Sequence, residues 1–202
     1  MKAHNKASAW FDGLYKENKD KHENIPWARQ AVNPLLKTYL EEEVTHKGKA
    51  LVIGCGLGDD AVALEAAGYD VTAIDVSKTA LDLAKERFPD SHIKFEKQDI
   101  FDMPEAYHEH FDFVFEAFTV QSLPVDFREK MISAVAKTVA KDGKLLLVAH
   151  KREAMFSGPP WPLEVEEVAL FKKEGLTELT HEIHTEESKI SNTRFRVLYQ
   201  RD

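Results

Sequence analysis

The sequence predicts an α/β protein built on a βαβ unit, and three observations carry that prediction. Residues 50–58 read Ala-Leu-Val-Ile-Gly-Cys-Gly-Leu-Gly, an apolar run that delivers the chain into three glycines, with an Ala-rich, helix-favouring stretch behind them. A second apolar run, Val71-Thr72-Ala73-Ile74, ends on one carboxylate, Asp75. This is the layout of a nucleotide site: glycines let backbone approach a ligand, and an acid at the next strand tip can accept from both hydroxyls of a ribose. Further on, Phe111–Ala117 and Leu145–Val148 are near-continuous apolar runs. Such runs belong to strands covered on both faces.

The remaining elements follow in order. Residues 5–22 interleave Trp10, Phe11, Leu14 and Tyr15 with polar residues at helical spacing, and Ile25-Pro26-Trp27 breaks the pattern. A second helical stretch leads to Glu41-Glu42-Glu43, read as a solvated face. The helix over 59–67 stops at Gly68. Ser77 caps a helix carrying Ala80, Leu81, Ala84 and Phe88, ended by Pro89. A third strand starts at Ile93. Pro124 opens a helix whose buried stripe reads Phe127, Met131, Ala134, Val135 and Val139, and Asp142-Gly143 turns the chain into the next strand. After Ser157-Gly158-Pro159-Pro160-Trp161-Pro162 a helix has Glu164, Glu166 and Glu167 in its first turn, Lys172 and Lys173 in its last, and Gly175 at its end, matching the helix dipole. Leu179, His181, Ile183 and then Phe195, Val197, Tyr199 alternate strictly, which predicts two half-buried strands paired antiparallel at one edge.

Gly54, Gly56 and Gly58 give G-x-G-x-G, with Asp59 where a dinucleotide fingerprint has its third glycine and Asp60 directly after. Two carboxylates at a helix start compete with a phosphate for the same N–H groups, yet tolerate a ligand carrying an ammonium and a sulfonium. The turn therefore suits a nucleoside without phosphate better than a nicotinamide dinucleotide. The 202 residues, 43% hydrophobic and 31% charged, fit one globular domain. A net charge of -8 argues against nucleic-acid or bilayer-surface partners. The single cysteine, Cys55, leaves no internal disulfide or cysteine zinc cage and reads as a small residue packed behind the glycine turn. No apolar run approaches a membrane span and no apolar signal segment opens the chain, so a cytoplasmic protein is expected.

The order of motifs resembles the class I S-adenosylmethionine-dependent methyltransferases from Lys49 to Tyr199. Leu51–Gly58 resembles the first motif, Asp75 the ribose-binding acid, Gln98-Asp99-Ile100 the adenine-binding segment, Phe111–Glu116 the fourth motif, and Lys141–Leu147 the fifth strand and its turn. The resemblance implies a Rossmann-like seven-stranded sheet of order 3-2-1-4-5-7-6, strand 7 antiparallel, with helices on both faces. It also implies one methyltransferase domain over 1–202, within which 1–45 forms an N-terminal helical cap segment. Phe11-Asp12-Gly13-Leu14-Tyr15, Pro26-Trp27, Pro34 and Ser157-Gly158-Pro159-Pro160-Trp161-Pro162-Leu163 are similar to the thiopurine and thiol S-methyltransferase branch.

That resemblance implies S-adenosyl-L-methionine as cofactor, held by Gly54, Cys55, Gly56, Gly58, Asp75, Val76, Asp99, Ile100, Glu116, Tyr15 and Trp27. Asp75 would take the ribose diol, Asp99 the adenine amino group, and Val76 and Ile100 would sandwich the ring. Glu116 would face the methionine ammonium or a polar substrate. Gln121, His150, Arg152 and Trp161 are expected on the substrate side, with Glu116 and His150 as candidate catalytic groups. Methyl transfer from a sulfonium needs positioning and exclusion of water, and a thiol that ionises near pH 7 needs little help from a base. The segment 157–161 is expected to act as a lid over the methyl group. His181 and His184 face opposite ways on a strand and His108-Glu109-His110 lies in a polar loop, so no metal is expected. The reading is an enzyme acting on a small molecule, with a thiol or other soft nucleophile as acceptor. The alternatives are a non-catalytic adenosylmethionine-binding module and, disfavoured by Asp59 and Asp60, a nicotinamide oxidoreductase.

Overall fold

The structure, a computed structural model, describes residues 3–42, 48–154, 158–186 and 190–202. Its helices are α1 Ala3–Glu17, α2 Pro34–Glu42, α3 Asp59–Ala67, α4 Lys78–Arg87, α5 Arg128–Ala136 and α6 Val165–Val168. Its strands are β1 Lys49–Ile53, β2 Asp70–Asp75, β3 Lys94–Lys97, β4 Phe111–Ala117, β5 Val139–His150, β6 Leu176–Thr185 and β7 Thr193–Arg201. They form one seven-stranded sheet of order β3-β2-β1-β4-β5-β7-β6, in which β7 runs antiparallel to both β5 and β6. The chain divides into two compact units, Met1–Asp99 and Ile100–Asp202.

In the first unit, β1 and β2 pair in parallel, and β2 pairs with β3. Both β1 and β2 are buried except at their first residue, because helices cover them. Ser77 caps α4 by accepting from Ala80 N at 3.0 Å, and Gly68 ends α3 in a left-handed conformation. Glu41 and Glu42 are exposed as expected, whereas Glu43 lies outside the described residues. The small residues of α4 let α1 lie against it: Tyr15, Ile25, Leu57, Ala80 and Leu83 form one apolar cluster.

In the second unit, the core is aromatic. Phe111, Phe113, Phe115, Phe171, Phe195 and Tyr199 are fully buried. Three expectations fail here. The buried stripe of α5 is Arg128, Met131, Ile132, Val135 and Ala136, with Phe127 in a preceding 3-10 turn and Val139 already in β5. The last helix is one α-helical turn continued as a 3-10 helix over Ala169–Glu174. Its start carries a capping box between Glu164 and Glu167. The terminal strands are not equally half-buried. Flanked by β5 and β6, β7 is buried on both faces, Arg194 and Arg196 included, whereas β6 takes the edge and exposes Leu179 and Ile183.

Candidate active site

In the first unit the turn between β1 and α3 is built as a cradle. Gly54 has φ 64 and is exposed, and Gly56 has φ 52. These angles lie in the left-handed region, where a side chain costs about 1–2 kcal/mol. Gly56 N donates to Asp75 Oδ2 at 3.0 Å, and Ser77 N donates to Asp75 Oδ1 at 2.8 Å. Asp75 therefore ties the glycine turn to the end of β2. Burial pushes its carboxyl above the ordinary value, against the hydrogen bonds from Ser77, Gly56 and Val76. Three backbone bonds leave the carboxylate acceptor capacity for a ligand hydroxyl.

Above the turn lies Tyr15. A Cβ on Gly56 would stand 2.9 Å from its hydroxyl oxygen, so Gly56 is also what lets α1 dock. Trp27 Nε1 donates to that hydroxyl at 2.8 Å, and Trp27 meets Tyr15, Phe11 and Trp10 edge-on. Trp27 is 37% exposed and Tyr15 2%, so the tyrosine presents only its buried hydroxyl end to the turn. Cys55 is buried and its thiol is pushed well up, by desolvation first and the Asp75 charge second. Val76 and Asp99 are half-buried at the ends of β2 and β3.

The acidic pair at the start of α3 is spoken for. Arg87 grips Asp59 with two bonds of 2.7 Å and the Leu57 carbonyl with a third of 2.6 Å. Asp60 Oδ1 accepts from Asn33 N at 2.6 Å, and burial pushes its carboxyl up to about 6. Both acids hold helices together, so the expectation that they screen ligands by open charge is corrected. Sequence reading also missed Asp12, which accepts from Ser77 Oγ and Thr79 N and pairs with Lys16. Burial raises its carboxyl, but those donors outweigh it and hold it well below the usual range.

In the second unit, Ile100 is buried at the head of a 3-10 turn. Glu116, Gln121 and His150 are all buried, at the ends of β4 and β5 and in the turn between them. Glu116 Oε1 accepts from Thr119 N at 2.6 Å and Val120 N at 2.7 Å, while Oε2 has no hydrogen-bond partner. Desolvation pushes this carboxyl up to about 7, against those two bonds and the Arg128 charge. Gln121 Oε1 accepts from His150 N, and Gln121 O from Trp161 N, both at 2.7 Å. Arg194 Nη1 lies 2.9 Å from His150 Nδ1. A guanidinium only donates, so Nδ1 is the acceptor.

Trp161, at the end of the segment expected as a lid, belongs to a hydrogen-bonded wall. Trp161 O accepts from Arg128 Nη2 at 2.8 Å, Leu163 N donates to His150 O, and Arg152 donates to Pro162 O. The Trp161 indole lies over Gly158, where a Cβ would run into the ring. Ser157 is outside the described residues. Arg152 also pairs with Glu164 and Glu167, so it braces the wall and α6. Sequence reading missed Arg128. Its signal was present, a charge at i on a stripe whose i+3, i+4 and i+7 positions are apolar. It also missed Phe118, left-handed at φ 63 beside the His150 ring. Among the described residues no three His, Cys, Asp or Glu side chains are grouped to hold a metal, and no helix is long and apolar enough to cross a membrane.

A chain with this sheet order and the family match that follows is an S-adenosylmethionine-dependent methyltransferase. The sequence profile of the family Thiopurine S-methyltransferase (TPMT) matches residues 16–197, and the chain belongs to that family. It is 28% identical over 177 residues to thiocyanate methyltransferase 1 of Arabidopsis thaliana, covering 83% of this chain and 77% of the relative. It is 26% identical over 184 residues to thiopurine S-methyltransferase of Legionella pneumophila strain Paris, covering 82% and 80%. Among solved structures, the N-methyltransferase NodS of Bradyrhizobium japonicum bound to S-adenosyl-L-homocysteine superposes with a TM-score of 0.74 at 20% identity, covering 95% of this chain and 97% of that one. The protein described for conversion of a disulfide bond into a thioacetal group during echinomycin biosynthesis superposes with a TM-score of 0.78 at 18% identity, covering 96% and 93%.

Proposed function

We propose that this enzyme transfers a methyl group from S-adenosylmethionine to a small thiol or another soft, already anionic nucleophile. The observation that carries this reading is that the polar groups ending β4 and β5, save one oxygen of Glu116, are engaged with the protein itself. Gln121 accepts from the backbone of His150, the His150 ring accepts from Arg194, and Glu116 turns one oxygen onto two backbone N–H groups. An acceptor that arrives ionised needs no strong base, only a dry and well-placed seat. The names of the thiocyanate, thiol and thiopurine methyltransferases among its relatives support the same class.

Two features of the turn support the cofactor: Gly54 is exposed in a left-handed conformation, and Asp75 keeps acceptor capacity. Bound there, S-adenosylmethionine supplies the methyl group on a sulfonium. In this reading Gly54, Cys55, Gly56 and Gly58 bring main chain to the ligand, and Asp75 accepts from the ribose hydroxyls. Val76 and Ile100 flank the adenine, Asp99 accepts from its amino group, Tyr15 and Trp27 close over the methionine end, and Glu116 faces it. Gln121, His150, Arg152 and Trp161 shape the acceptor side and exclude water. Residues 1–202 act as one methyltransferase domain with 1–45 as its helical cap segment, in the cytoplasm and without a nucleic-acid partner, as the charge of -8 supports. The test is calorimetric titration with adenosylmethionine, adenosylhomocysteine and NAD, followed by a turnover panel of thiocyanate, thiophenol, a phenol and an amine. Binding of the first two ligands with methylation of the sulfur acceptors is expected. Methylation of the phenol or amine alone would refute the sulfur assignment, and binding without turnover would favour a non-catalytic module.

A further inference from the structure

Behind the end of β4, three buried polar residues, Arg128, Gln121 and Glu116, hold the turn at residues 119–122 or tie it to Trp161. Arg128, its side chain 2% exposed, sits on the otherwise apolar stripe of α5. Its Nη1 donates to Val120 O at 2.6 Å, its Nη2 to Trp161 O at 2.8 Å, and its Nε to Glu167 Oε1 at 3.1 Å. One guanidinium thus joins the turn after β4, the proline-rich wall and α6. Gln121 joins the same turn and wall a second time, through its carbonyl and Trp161 N. Glu116 holds the turn from the strand side through Thr119 N and Val120 N. Burying a guanidinium is costly, and an apolar side chain on this stripe would serve the core as well or better. The planar fork of Arg spans two carbonyls at fixed spacing, which neither Lys nor an apolar residue does.

We infer that Arg128 is a positioning residue of the methyl-transfer reaction: it fixes the Trp161 wall against the Val120–Ser122 turn and so sets which acceptors the enzyme takes. The inference rests on the reading of Gln121 and Trp161 as acceptor-side residues. It assigns Arg128 no contact with cofactor or acceptor. A wall held only by Gln121 would rock, and acceptors would then be discriminated less by size.

Three variants test it. Arg128→Met removes the tie, Arg128→Lys keeps the charge without the fork, and Glu167→Gln loosens the tie without touching the core. Amide hydrogen exchange should accelerate at Val120, Gln121, Trp161 and Leu163 while β1 and β2 keep wild-type protection. With thiophenol as acceptor, KM should rise about five- to tenfold in Arg128→Met and by less in Arg128→Lys. The thiophenol-to-thiocyanate ratio of kcat/KM should shift by about threefold or more, while the Kd of adenosylhomocysteine stays within about twofold. A lower melting temperature with unchanged KM and ratio would overturn the inference. So would equal losses in acceptor KM and adenosylhomocysteine affinity, or unchanged exchange at Trp161. Trp161→Ala, measured beside them, tests the underlying reading. If it leaves acceptor KM unchanged, Trp161 is not an acceptor wall, whereas exchange at Trp161 in the Arg128 variants still reports whether Arg128 holds the segment.

Discussion

Exchanging Glu116 for Gln isolates the electrostatic cost stored at the end of β4. The carboxyl is fully buried, one oxygen accepts two backbone N–H groups, and the other has no hydrogen-bond partner. Desolvation pushes it from 4.5 up to about 7, against the hydrogen bonds from Val120 and Thr119. Between those two values the folded chain holds a proton that the unfolded chain has released. The contribution of Glu116 to stability is therefore complete below 4.5 and is lost as pH rises through about 7. At about 1.4 kcal/mol per tenfold change, full ionisation costs about 3 kcal/mol. The Gln carbonyl keeps both backbone bonds and never ionises. Urea unfolding followed by circular dichroism should therefore show Glu116→Gln gaining on wild type by about 2–3 kcal/mol between about pH 5 and about pH 8. Asp60 and Asp75, also raised by burial, are present in both proteins and cancel in the difference. A difference that is flat with pH, or that grows toward acid, would refute the reasoning.

Asp75→Ala should weaken adenosylmethionine binding by about 1.5–3 kcal/mol, the scale of hydrogen bonds to a charged group, and also loosen the glycine turn it anchors; unchanged calorimetric affinity would remove its ribose role. Gly56→Ala should cost stability because its Cβ meets the Tyr15 hydroxyl at 2.9 Å, and adding Tyr15→Phe should recover part of that loss; strictly additive melting shifts would contradict the contact. Cys55, buried and pushed well above its ordinary value, should react with an aromatic disulfide reagent only when the protein is unfolded, and fast labelling of the native protein would show an open turn.

What could be read from the sequence divides along physical lines. β1, β2 and β4, the cap at Ser77 and the stop at Gly68 are set by short-range patterns, and all stand where those patterns put them. The sheet order came from resemblance, and it too holds. The failures are long-range. The partners of Asp59 and Asp60, Arg87 and Asn33, come from elements distant in sequence, so a local reading left both acids open to ligand. β7 alternates like a half-buried strand, yet β5 and β6 flank it and its arginines are buried beside Glu186 and Glu182. The ties of Trp161 to the Arg128 guanidinium and the Gln121 carbonyl also come from distant elements and declare themselves only in three dimensions.

Methyl transfer from adenosylmethionine to a sulfur acceptor is open to a stoichiometric turnover measurement. The enzyme is incubated with methyl-labelled adenosylmethionine and thiophenol, and both products are quantified. Labelled methyl phenyl sulfide and adenosylhomocysteine are expected in equal amounts, with formation of both reduced together in Asp75→Ala at limiting cofactor. Adenosylhomocysteine formed without labelled methyl phenyl sulfide from thiophenol or labelled methyl thiocyanate from thiocyanate would overturn the sulfur assignment.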